Sequence, residues 1–274
     1  MVLDAKNYYS KEANLEYMSV STYKDFAGTI GYPGCEYQAY EKLMGRWTER
    51  QSDAMLIGSY VDARIEGQQA FWEFCDAHPE LYKADGSLYK KYEIAETALK
   101  RIKRDERFMD FLSGEKQVIM TGELFGRKWK IKMDSYCPGK VITDLKVVQA
   151  IYDKGRGPKD PDDKFFKMKV DDGGPPVNWI LYWGYDIQGA IYQEIVRQNT
   201  GEKLPFAIAA VSKHEHPEIA VIHPMQWRLD EALLNVEYHM QGISDVLDGR
   251  RPPDRCEACD CCKDSKVIPT WESF

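Results

Sequence analysis

The chain has no excess of positive charge, no long apolar run and no even scatter of cysteines. Each absence removes a class of protein. Lysine plus arginine number 37 against 44 aspartate plus glutamate, a formal net charge of −7. A protein that coats nucleic acid by charge alone is basic overall, so that class is excluded. An enzyme with one local basic channel and clustered carboxylates is not excluded, because a net charge does not locate charge. No apolar stretch approaches the roughly 20 residues that span a bilayer. The opening MVLDAKNYYSKEANLEYMS is charged where a signal peptide carries its apolar core. These features predict a soluble, cytoplasmic protein with no membrane partner. Repeats and low-complexity tracts are missing as well, which excludes solenoids. With 43% hydrophobic residues over 274 positions the chain can bury a sizeable core.

What is present divides into an early helical part, a central β part and a mixed remainder. Ser19 and Ser21 precede TYKDFAG as a capped helix. Cys35 opens CEYQAYEKLMGRW. From Ser52 to Ala77, Leu56, Ile57, Tyr60, Val61, Ile65, Phe71 and Phe74 recur at helical spacing, leaving Gly58, Asp62 and Glu66 on another face. A helix is predicted over 87–104. QVIMTGELF, RKWKIKMD and KVITDLKVV follow as three strands of an antiparallel meander, with turn signals at Gly126 and Pro138-Gly139. Residues 153–177, rich in Gly, Pro and Asp, predict a mobile loop. Residues 178–197 are helical, LPFAIAAVSK and EIAVIHP are strands, and 227–247 is a final long helix. No linker divides the chain, so one α/β domain over 1–274 is expected, with its core over about 52–225 and the tail 250–274 packing back on the N-terminal helices.

The chemistry concentrates in KMDSYCPGKVITDLK. Asp134 ends one strand, and Asp144 and Lys146 lie two residues apart on the next. Period-two alternation puts that pair on one sheet face, and a hairpin can bring Asp134 beside Asp144. Two adjacent carboxylates are costly unless a divalent cation neutralises them, and Mg²⁺ or Mn²⁺ suits oxygen ligands. An ammonium beside them can hold an attacking water and offset charge on a phosphate. Asp and Asp-x-Lys on neighbouring strands therefore point to metal-assisted phosphodiester hydrolysis, although D-x-K also arises on any exposed strand.

Five blocks in order make the pattern more specific: MSVSTYKDF with Cys35, LIGSYVDARIEG, TGELFGRKWKIKMDSYCPGKVITDLK, YWGYDIQGAIYQEIVRQNTG and RCEACDCC. Together they resemble the PD-(D/E)XK nuclease superfamily, most of all phage-type exonucleases related to the C-terminal nuclease domain of exodeoxyribonuclease VIII (the RecE type). The resemblance implies a restriction-endonuclease-like core, a mixed sheet flanked by helices, with a helical N-terminal part and a cysteine-rich C-terminal part. It implies that Asp134 and Asp144 bind metal, with the Leu145 carbonyl completing the coordination, and that Lys146 assists the nucleophile. Asp62 stands where many relatives have His; a carboxylate there can still bind metal. Glu123 precedes the Asp134 strand and is a further candidate ligand. Gln188 and Tyr192, one helical turn apart with Tyr185 on the same face, match the family's Gln-x-x-x-Tyr pair beside the active site.

Seven cysteines include four within 256–262, and crowding at one end reads as metal ligation rather than a disulfide framework. Cys256, Cys259 and Cys262 form C-x2-C-x2-C, and the resemblance supplies Cys35 as the fourth ligand. Four thiolates suit a [4Fe–4S] cluster or Zn²⁺. Likeness to iron–sulfur nucleases favours iron, although their C-x2-C-x5-C is longer at its end. Basic residues at 100–104, 127–132 and 164–169, the last with Phe165 and Phe166, are candidate DNA contacts.

The resulting expectation is a 5′→3′ double-strand exonuclease of phage-type recombination, acting on linear DNA, working with a single-strand annealing protein and forming a homo-oligomer. A Cas4-like single-strand nuclease is the alternative within the superfamily. A non-catalytic DNA-binding scaffold with a structural metal cluster is the alternative of another class.

Overall fold

Turn chemistry sets the central hairpin. Strands β1 (Glu115–Leu124) and β2 (Arg127–Cys137) are joined by Phe125 and Gly126, both at positive φ (52° and 77°). That is the two-residue turn whose twist matches flanking strands. Each pair moves one residue outward on both strands, from Leu124 opposite Arg127 to Glu115 opposite Tyr136. The computed structural model describes residues 1–153, 164–170 and 173–267.

Strand β3 (Val141–Val148) runs antiparallel to β2 and parallel to β6 (Phe206–Ser212), which pairs antiparallel with β7 (Ile219–Ile222). The sheet is thus mixed, in the order β1-β2-β3-β6-β7. Every residue of β6 is buried, as expected of a parallel strand covered on both faces. Two residues each of β4 (Lys167–Met168) and β5 (Val177–Asn178) form a separate ribbon.

Helices cover both faces. The early ones are α1 (Lys11–Glu16), α2 (Val20–Ala27), α3 (Glu36–Leu43), α4 (Asp53–Glu66), α5 (Gln68–Ala77), α6 (Glu93–Lys103) and α7 (Glu106–Phe111). The later ones are α8 (Trp179–Tyr182), α9 (Tyr185–Thr200), α10 (Gln226–Leu247) and α11 (Asp260–Asp264). One core joins Trp129, Ile131, Ile142 and Phe206 to Ile191 and Ile195 of α9 and Val236 and Met240 of α10. The other joins Leu145, Ala209 and Val211 to Ile57, Tyr60 and Val61 of α4 and Leu99 and Ile102 of α6.

Several expected boundaries shift for local reasons. Ser19 caps α2 by accepting from the Thr22 N–H at 3.2 Å, as its spacing suggests. The helical stretch 52–77 is two helices, broken at Gly67, whose φ of 152° L side chains rarely adopt. The helix expected from 87 begins only at Glu93, because the Asp85 carboxylate accepts from both the N–H and the hydroxyl of Ser87 and closes a turn. Of the expected mobile loop, 154–163 and 171–172 lie outside the described residues, as do 268–274 of the tail. Phe165 and Phe166 are half-buried. Both pack on the first core, and Phe165 stacks on Tyr152 with ring centroids 5.9 Å apart. No helix among the described residues is long and apolar enough to cross a membrane.

Candidate active site

The β2–β3 ladder has only three pairs, Cys137 with Val141, Tyr136 with Ile142 and Ser135 with Thr143. Beyond them the strands part, and the next residues on either side are Asp134 and Asp144. Asp134 closes the fork itself: its Oδ2 accepts from the Leu145 N–H at 2.8 Å. A strand residue turns its N–H and C=O to the same edge, so the Leu145 carbonyl faces the same opening.

Asp144 is buried, with 2% of its surface exposed. Its Oδ1 accepts from Gln188 Nε2 at 2.5 Å, and its Oδ2 is 2.5 Å from Lys146 Nζ as an ion pair without hydrogen-bond alignment. Burial alone opposes the Lys146 charge, but Asp144, Tyr185 and Asp134 outweigh it and hold the ammonium well above the ordinary lysine range. That ammonium also lies 5.0 Å from the Tyr185 ring centroid. Tyr192, from the same helix face, donates from its hydroxyl to the Lys132 carbonyl at 2.9 Å. The proton of this phenol is therefore engaged in bracing β2.

Asp62 enters from α4 on the opposite wall. Its Oδ1 is buried without a hydrogen-bond partner, and burial, then the Asp134 charge, push its carboxyl well above the usual range, with Lys146 opposing. Burial and the charge of Asp144 likewise raise Asp134 to about 6. Asp62, Asp134, Asp144, Lys146, Gln188 and Tyr192 all line one cleft of about 790 Å³. An orphaned buried carboxylate oxygen, two acids resisting ionisation beside each other and an all-oxygen donor set fit a hard divalent cation. Asp144 is held by Lys146 and Gln188.

Two residues at this site were not singled out from the sequence. Gln117 stands opposite Asp134 in the hairpin, at φ 52°, and donates from Nε2 to Asp134 Oδ1 at a long 3.4 Å. A non-glycine residue at positive φ inside a strand is strained, and such strain gathers at functional sites. Lys24 of α2 donates to the Trp183 carbonyl at 2.9 Å, and burial, then Lys146, bring its ammonium down to about 8.

Glu123 does not join the site. The tight turn at 125–126 places it opposite Lys128, six residues along β1 from Gln117, where its backbone exchanges hydrogen bonds with Gln198. Of the basic run 127–132, Lys130 and Lys132 line the cleft, and most of the run is engaged within the chain. Arg127 pairs with Asp248 and Lys128 with Glu16, Lys130 donates to the Tyr8 carbonyl and Asn14, and Lys132 lies 4.6 Å from the Tyr9 ring centroid. Lys100, Arg101 and Arg104 line a separate depression with His216.

The second constellation joins the two ends of the chain. Cys35 Sγ lies 3.6 Å from Cys262 Sγ and 3.7 Å from Cys259 Sγ, and Cys256 Sγ is 3.9 Å from Cys262 Sγ. Among the described residues these four form the one group of metal-binding type whose donor atoms all lie within 4.8 Å of one another. A bidentate Arg251–Glu36 pair (2.6 and 2.5 Å) and the Tyr37 N–H bond to the Asp254 carbonyl (3.0 Å) tie the tail to α3 beside it. The buried Cys261 lies outside the group, as do the half-buried Cys75 and Cys137.

Residues 19–265 match the family described as "PDDEXK-like domain of unknown function (DUF3799)". A crystal structure described as "Putative exonuclease" from Eubacterium rectale is 51% identical, superposes with a TM-score of 0.90 and covers 100% of this chain and 97% of its own. A second structure, described as SSO0001, covers 75% of this chain and 82% of its own at 10% identity and a TM-score of 0.29, too low to bear on the fold. No curated protein matches the chain.

Proposed function

The chain belongs to the PDDEXK-like domain family, and on that footing we propose that it is a metal-dependent deoxyribonuclease that degrades linear duplex DNA from its ends, in the 5′→3′ direction. The observation that carries this reading is the convergence of Asp134, Asp144 and Lys146 with Asp62 in one cleft. The name given to the Eubacterium rectale structure supports digestion from ends.

Asp62, Asp134, Asp144 and the Leu145 carbonyl would hold Mg²⁺ or Mn²⁺. The ion would supply Lewis-acid polarisation of the scissile phosphate. Lys146 holds the attacking water by one N–H, orients its lone pair at phosphorus and offsets charge that develops on the phosphate oxygens. Gln188 fixes the rotamer of Asp144, and Tyr192 fixes the backbone of β2, so both are positioning residues rather than groups that touch the scissile bond. The water oxygen bonds to phosphorus as the bond from phosphorus to the departing sugar oxygen breaks; the water gives up a proton to solvent, and the sugar oxygen takes one from solvent.

The test is an end-labelled linear duplex incubated with pure protein and Mg²⁺ or Mn²⁺. Release of label as short products from the 5′ end is expected, abolished by Asp134→Ala, Asp144→Ala or Lys146→Ala. Full activity in all three variants would overturn the site. Degradation of single strands in preference to duplex would transfer the reading to a Cas4-like activity.

A further inference from the structure

Likeness to iron–sulfur nucleases implies a [4Fe–4S] cluster on Cys35, Cys256, Cys259 and Cys262. The sulfur spacing disagrees. A single tetrahedral ion with metal–sulfur bonds of about 2.3 Å sets its four sulfurs about 3.8 Å apart, because a tetrahedron's edge is about 1.6 times its centre-to-corner distance. A cubane puts each thiolate on a different iron at alternate corners of a cube, which spreads the sulfurs to roughly 6 Å. The separations in the structure are 3.6, 3.7 and 3.9 Å, and no donor pair exceeds 4.8 Å.

The surrounding chain holds that spacing. Cys259 caps α11 and its sulfur accepts from the Cys262 N–H at 3.4 Å, so these two ligands share one tight turn. Cys256 Sγ accepts from the N–H groups of Ala258 (3.4 Å) and Cys259 (3.3 Å), and Cys35 Sγ from that of Gln38 (3.5 Å). Arg255 donates to the Cys262 carbonyl at 2.6 Å and brings positive charge to a site where four thiolates exceed the charge of one divalent ion.

We propose that this site takes one Zn²⁺ in tetrathiolate coordination and no iron–sulfur cluster. Zinc has no redox chemistry, so the site clamps the tail onto α3 and carries no electrons. It stands independently of the nuclease reading, since neither the ligands nor their spacing involve the cleft.

The test uses the full chain purified without oxygen in medium containing both metals. Elemental analysis should find one zinc per chain, with no acid-labile sulfide and no broad visible absorption. Protein grown in cobalt should show the intense visible bands of tetrahedral tetrathiolate Co²⁺. Cys256→Ser, at the most exposed ligand, should lose stoichiometric zinc and melt at lower temperature while keeping its circular dichroism at low temperature. Iron with labile sulfide would overturn the proposal, as would weak octahedral cobalt bands or a wild-type chain that melts identically with and without bound zinc. These measurements need neither DNA nor Mg²⁺. One zinc in a protein without nuclease activity would sink the functional reading alone, and labile sulfide in an active nuclease would sink this one alone.

Discussion

At the scale of single residues, the cleft contains groups that oppose the stability of the fold. Asp62 has a buried, unpartnered oxygen beside another acid, and an unpaired buried charge is costly. Asp62→Asn should therefore raise the melting temperature of the metal-free protein and, on the proposed metal role of this carboxylate, lower nuclease activity about a hundredfold. Gln117 separates strain from function more sharply. Its φ of 52° suits glycine, so Gln117→Gly removes backbone strain of about 1–3 kcal/mol. The same change removes the amide on Asp134. The expected result is an unchanged or higher melting temperature, activity down about tenfold, and a higher Mg²⁺ concentration at half-maximal rate. A glycine variant with the wild-type Mg²⁺ titration would show that the amide has no part in positioning Asp134. Asp134, Asp144 and Lys146 were legible because they lie within one hairpin, where spacing is short-range. Lys24 was not, since its place at the cleft depends on α2 lying against α9, a contact no local pattern encodes.

At the scale of elements, the error over Glu123 and the omission of Gln117 have one cause. Once the turn is placed on Phe125-Gly126, counting outward puts Glu123 against Lys128 and Gln117 against Asp134. The signal was in the chain, but it needed the register and not only the presence of two strands. Helix α9 was legible as the carrier of Gln188 and Tyr192, whereas its closeness to the sheet was not. That closeness depends on Gly189, where a Cβ would sit 2.5 Å from the Phe206 ring, a fully buried side chain. Gly189→Ala must push α9 away from β6 and lift Gln188 off Asp144. A loss of about 1–3 kcal/mol in denaturant unfolding is expected from overpacking. Turnover measured where the variant is still folded should also fall on the proposed reading, because the neighbouring amide no longer fixes the Asp144 carboxylate. Wild-type turnover in a destabilised but folded variant would mean that Gln188 is not needed at that distance.

For the whole molecule, the fold class followed from element order and the five blocks. What joins its ends followed from the resemblance and not from any local pattern, because Cys35 and Cys262 are separated by nearly the full chain and only three-dimensional closure brings them to 3.6 Å. Electrostatics of the cleft also act on the molecule as a whole. Burial and Asp144 raise Asp134 from 3.8 to about 6 in the folded state, and Asp62 is raised in the same direction. Between those values the folded protein binds protons that the unfolded chain has released. By linkage, these groups favour the fold most at low pH and withdraw that contribution as pH rises through about 6. A divalent cation that binds only the folded state reverses the loss, and protons compete with it for the same oxygens. Mg²⁺ should then raise the melting temperature more at about pH 7.5 than at about pH 5. Paired acids elsewhere, such as Glu16 and Asp248, titrate with the opposite sign. The diagnostic quantity is therefore the difference between wild type and an Asp62→Asn/Asp134→Asn double variant, measured in melts across pH with and without Mg²⁺. The double variant should gain most relative to wild type at high pH without the ion, and should lose the Mg²⁺ response throughout. An equal response to Mg²⁺ in both proteins would place the cation elsewhere on the chain and remove the carboxylate pair from the chemistry.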